Sequence, residues 1–88
     1  MKEILRKRHL DTLNLIFQTP PPSGLKWSAI ESLIKALGGE IKQGNGSRCR
    51  FLLYGSIARF HRPHPSPDTD KGALVSLRDW LESIGVKP

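Results

Sequence analysis

Gly44-Asn45-Gly46-Ser47-Arg48-Cys49-Arg50-Phe51-Leu52-Leu53-Tyr54-Gly55-Ser56-Ile57-Ala58-Arg59-Phe60-His61-Arg62-Pro63-His64-Pro65 is the stretch on which the reading of this 88-residue chain turns. Successive side chains of a strand point to opposite faces. Read at that period, Cys49, Phe51 and Leu53 fall on one side and Arg48, Arg50 and Leu52 on the other. A turn at Tyr54-Gly55-Ser56 reverses the chain, after which Ala58 and Phe60 alternate with Ile57, Arg59 and His61. Two antiparallel strands follow. With both apolar faces turned inward, the outer face collects Arg48, Arg50, Arg59 and His61. Cys49 lies in the apolar row and is the only cysteine, so no internal disulfide can form and a core role is expected.

Working outward on the N-terminal side, Gly44-Asn45-Gly46-Ser47 makes a tight turn back to a short first strand, Glu40-Ile41-Lys42-Gln43. Before it, Trp27, Ile30, Leu33, Ile34 and Leu37 form one apolar stripe that ends at Gly38-Gly39. Ser28 with Glu31 three residues later reads as a capping box, which predicts a helix from about Ala29 to Leu37. Thr19-Pro20-Pro21-Pro22-Ser23-Gly24 cannot continue a helix, because proline lacks a donor and restricts its predecessor. Ahead of this stiff linker, Leu5, Leu10, Leu13, Ile16 and Phe17 recur at helical spacing through Lys2 to Phe17, with Lys2, Arg6, Lys7 and Arg8 solvated. His9 falls in that helix and carries no functional signal there.

Working outward on the other side, Arg62-Pro63-His64-Pro65 ends the sheet, since proline removes ladder hydrogen bonds. Ser66-Pro67-Asp68-Thr69-Asp70 offers helix caps with early acids. Ala73, Leu74, Leu77, Trp80, Leu81 and Ile84 then make a second stripe that stops at Gly85. The order is α-α-β-β-β-α. A three-stranded antiparallel sheet must cover its apolar face, and the two striped helices are the covers at hand. The expectation is a two-layer α+β domain over residues 26–88, with an N-terminal helix over 1–18 and a linker over 19–25. Trp27 and Trp80 belong to the apolar stripes, hence to the core.

Fourteen Lys and Arg against eight acids give a formal charge of +6, which favours a polyanion or an acidic protein as partner. No apolar run approaches the ~20 residues of a membrane span, so no membrane partner is expected. The basic start leads into Leu10-Asp11-Thr12-Leu13-Asn14, too polar for a signal-peptide core, so a cytoplasmic location is expected.

Taken together, Trp27 to Gly39, the Gly46-Ser47 turn, Phe60-His61-Arg62-Pro63-His64-Pro65, Lys71-Gly72-Ala73 and Ile84-Gly85-Val86 resemble the HicA family of bacterial toxin ribonucleases. The resemblance covers Trp27 to about Val86. It implies a double-stranded-RNA-binding-domain-like fold, cleavage of messenger RNA, and a HicB-type antitoxin that masks the toxin, a monomer within a hetero-oligomeric complex. Family members usually carry a histidine, taken as catalytic, just after the Gly-Ser pair. Here Arg48 stands there.

Acid–base chemistry must then come from elsewhere. His61, on the arginine face, can remove a ribose 2′-hydroxyl proton as a neutral imidazole, or can simply touch phosphate or the antitoxin. His64 matches the family's His-Pro after the third strand. In an extended chain it lies about 10 Å from His61 and on the other side, unless Pro63 bends them together. It either supports catalysis or pins the turn by donating to a carbonyl. His61-x-x-His64 lacks a third ligand, so no metal and no other cofactor is expected. Arg48, Arg50, Arg59 and Arg62 can clamp phosphates, and the chain has no acid between Gln43 and Pro67 to neutralise them. Lys71 adds charge at a helix start, and Ser47 a phosphate hydrogen bond. Two other readings stay open: an RNA-binding module without catalysis, and a protein-binding domain that docks an acidic partner.

Overall fold

The computed structural model describes residues 5–88, and the elements run α1 (Lys7–Ile16), α2 (Trp27–Ala36), β1 (Glu40–Gln43), β2 (Arg48–Leu53), β3 (Ser56–His61) and α3 (Lys71–Ser83). This is the expected α+β order, with a single antiparallel sheet in the order β1-β2-β3. The β2–β3 hairpin closes on a two-residue loop, Leu53 pairing with Ser56. Tyr54 at φ 52° and Gly55 at φ 76° both take the left-handed region, the requirement of a turn whose twist matches the flanking strands. Ser56 is thus the first residue of β3 rather than part of the turn.

The inward row of β2, Cys49, Phe51 and Leu53, is buried and meets the stripes of α2 and α3. Four aromatic rings lie under the sheet: Trp27 stacks on Phe51 at 5.4 Å, Phe60 sits 5.3 Å from Phe51, and Trp80 lies 6.3 Å from it. Such offset and tilted pairs are each worth about 0.5–1.5 kcal/mol beyond the area they bury. Both indoles also find partners: Trp27 Nε1 donates to Glu31 and Trp80 Nε1 to Ser56 Oγ, each at 2.9 Å. Gly39 lets the end of α2 pass close to β2, for a Cβ there would stand 2.9 Å from the Leu52 carbonyl oxygen.

Two helix starts differ from expectation. Ser28 and Glu31 do not form a capping box: Glu31 bonds the Trp27 indole, Lys26 is the N-cap without a side-chain bond, and the helix begins at Trp27. The Trp27 N–H is satisfied by Pro67 O, and Lys26 bridges to Asp68, so the chain entering α3 holds the start of α2. The N-terminal helix begins at Lys7. Lys2, placed in it by the sequence pattern, lies outside the described residues. Leu10 is exposed, and the face that docks consists of His9, Thr12, Leu13 and Ile16. His9 is buried with Nε2 3.0 Å from Ser32 Oγ on α2, a long-range bond that helix periodicity could not reveal. α1 joins the same core, since Leu13 and Ile16 belong to the buried cluster. No helix among the described residues is long and apolar enough to cross a membrane.

Candidate nucleic-acid interface

Strand register turns the arginines into a grid. Arg50 pairs with Lys42 on one side and with Arg59 on the other, so three exposed cations stand in a line across the sheet. One row further, Arg48 stands opposite His61, both exposed. Rows on one face of a strand are about 6.6–6.8 Å apart. Glu40, 3.8 Å from Lys42, is the acid nearest this grid among the described ion pairs. Lys42 was not singled out by the sequence pattern. The signal existed, because a tight turn at Gly44-Asn45-Gly46-Ser47 fixes the pairing that brings Lys42 opposite Arg50.

Like charges directly opposite one another destabilise a sheet. A Lys42–Arg50–Arg59 line therefore costs folding energy that a polyanion would return. A depression of about 500 Å3 beside the grid, walled by Asn45, Arg48, Arg50, Arg59 and His61, has room for a nucleotide.

His61 is oriented at the rim of this depression. Its Nδ1 lies 3.3 Å from Ser47 Oγ. The turn that carries Ser47 is tied down by the residue after the histidine: Arg62 N donates to Ser47 O at 2.7 Å, and Arg62 Nη2 donates to Gly46 O at 2.8 Å. Arg62 was expected to clamp phosphate. It is half-buried, with one guanidinium nitrogen bonded to the turn and its Nε buried without a protein partner among the described residues.

Beyond Arg62 the chain bends, and His61 and His64 come to line one cleft with Pro63, Pro65, Asp70 and Ala73. The His64 ring is exposed and takes no hydrogen-bond partner among the described residues, so no bond from it to a backbone carbonyl pins this turn. At the start of α3 the Asp70 carboxylate accepts from Ala73 N at 2.9 Å and occupies the helix end where phosphate was expected. Lys71 is an exposed cation beside that carboxylate. No three His, Cys, Asp or Glu side chains converge among the described residues.

Cys49 lies beneath the arginine rows. Burial pushes its thiol pKa up, the charge of Glu31 adds to that shift, and the Arg62 guanidinium opposes it. The thiol is therefore protonated at neutral pH and is a packing group.

A family model described as the HicA toxin of bacterial toxin–antitoxin systems matches residues 27–86, from the first residue of α2 to the buried Val86 past α3. No curated protein and no solved structure matches the chain.

Proposed function

The chain belongs to the HicA toxins of bacterial toxin–antitoxin systems, and from that premise we propose that it is a cytoplasmic, metal-independent endoribonuclease that cleaves messenger RNA and is neutralised by a HicB-type antitoxin. The observation that carries this reading is the adjacency of the cation line Lys42–Arg50–Arg59 to the Arg48–His61 pair on one open sheet face. The cations bind the RNA backbone, and Arg48 and Arg59 stabilise charge that builds on the phosphate in the transition state. His61 takes the 2′-hydroxyl proton. The 2′-oxygen forms a bond to phosphorus, the bond to the 5′-oxygen breaks, and that oxygen leaves with the electron pair and is protonated. His64, which lines the same cleft as His61, supports this second proton transfer.

Such a reaction leaves a 2′,3′-cyclic phosphate on one product and a free 5′-hydroxyl on the other. Incubating RNA with the purified protein in excess chelator, then mapping both ends, tests it. Cyclic phosphate ends formed in chelator support the proposal, whereas 5′-phosphate ends or dependence on added metal contradict it.

One observation favours a second reading, an RNA-binding module without catalysis. Arg48 occupies the position after Gly46-Ser47 where the family resemblance places its histidine. That reading predicts RNA binding on the same grid with no cleavage at any pH.

A further inference from the structure

Outside the charge pattern, one feature of the site is built rather than merely placed: the ring of His61 is bonded on one edge only. Nδ1 lies 3.3 Å from Ser47 Oγ, while Nε2 takes no partner among the described residues. In a neutral imidazole one nitrogen donates and the other accepts, and the bond made by one sets the role of the other. Arg62 fastens the backbone of Gly46 and Ser47 through two bonds at 2.8 and 2.7 Å, which holds the main chain from which the Ser47 hydroxyl reaches the ring. The residue following the histidine thus fixes the partner of the histidine. Ser47 itself is only partly exposed.

We infer that Ser47 is the positioning residue of His61: its Oγ accepts the Nδ1–H, which holds the neutral ring as the tautomer whose Nε2 carries the free lone pair. The inference rests on the reading of His61 as the base. Free imidazole side chains favour the opposite tautomer, with the proton on Nε2, which cannot accept a proton at that edge. Ser47 shifts the population toward the competent form and leaves its own O–H to donate to a phosphate oxygen. Arg62 acts at one remove, by keeping the turn where this bond forms.

The experiment reads the tautomer directly, in the resting protein without RNA, from long-range nitrogen–proton correlations of the His61 ring in the wild type, Ser47→Ala and Ser47→Thr. The expected result is Nδ1–H in the wild type and Ser47→Thr, and reversion toward Nε2–H in Ser47→Ala, with the backbone spectrum of each variant confirming the fold. In cleavage assays kcat of Ser47→Ala falls by about tenfold, KM changes little and Ser47→Thr recovers, as for other partners that fix a histidine tautomer. An Nε2–H ring in the wild type, or a Ser47→Ala variant with the tautomer unchanged and only KM raised, overturns the inference. If the tautomer follows Ser47 while His61→Gln still cuts RNA, the assignment of His61 as base has failed, and with it the catalytic role of Ser47.

Discussion

Arg48 and His61 stand directly opposite each other across the β2–β3 ladder, both exposed on the same side of the sheet. Arg48 holds the position after Gly46-Ser47 where the family resemblance places an imidazole, and the neighbouring strand supplies one to the same place. A cross-strand pair puts Cβ atoms about 4.5–5.5 Å apart, so the imidazole of His61 stands beside the position that Arg48 holds.

The first prediction concerns the cation line. For single strands log K falls with log salt by about 0.7 per phosphate neutralised. Replacing Arg50 and Arg59 together by Gln should weaken RNA binding and lower that slope by roughly 1.4, two contacts at 0.7 each. Fluorescence anisotropy against salt, with a short RNA and the His61→Gln background to prevent cleavage, measures it. An unchanged slope would remove these two residues from the interface.

The second concerns α1, which lies outside residues 27–86 yet shares their core. Ile16 is 1% exposed. Ile16→Ala should destabilise the fold by about 2–4 kcal/mol, since it deletes buried methylenes and leaves a cavity between helices. Urea unfolding decides the matter: a loss below about 0.5 kcal/mol, the order of a surface substitution, would mean that α1 is not part of the cooperative unit.

Much of this arrangement is legible in the chain because it is local. Alternation over Arg48–Leu53 and Ser56–His61 sorts core from grid, and the stripes of α2 and α3 say which helices cover the sheet. What the sequence hides depends on residues far apart. Glu31 looks like a capping partner of Ser28 until the Trp27 indole claims it, and the helix start is held instead by Pro67, forty residues on. Arg62 reads as one more phosphate ligand, and only a contact across sixteen residues shows it bound to Gly46. His9 carries no pattern at all, because its partner Ser32 lies on another helix. Lys42 was within reach, but a four-residue strand carries too short an alternation to draw notice without its register.

The third prediction follows from Cys49. Its thiol pKa is raised by burial first, then by Glu31, against the opposing charge of Arg62. A group whose pKa is raised in the folded state lends stability below its ordinary value and withdraws it as pH climbs through the folded one. Melting temperature should therefore fall in the alkaline range above the usual thiol pKa, and Cys49→Ala should flatten that fall while lowering stability at neutral pH through lost packing. In the native protein the thiol should resist alkylation and react freely in urea. Rapid modification of the folded chain would contradict the burial.

His61 is the residue on which the proposed chemistry turns. Its most direct test is single-turnover cleavage of one RNA, in chelator, by the wild type, His61→Gln and His64→Gln, each first shown to be folded and to bind that RNA. Loss of a positioned base typically costs about 10²- to 10⁴-fold in rate. The predicted result is a loss of that size in His61→Gln with RNA affinity nearly intact, and partial activity in His64→Gln. Full activity in His61→Gln, with or without a dead His64→Gln, would contradict it.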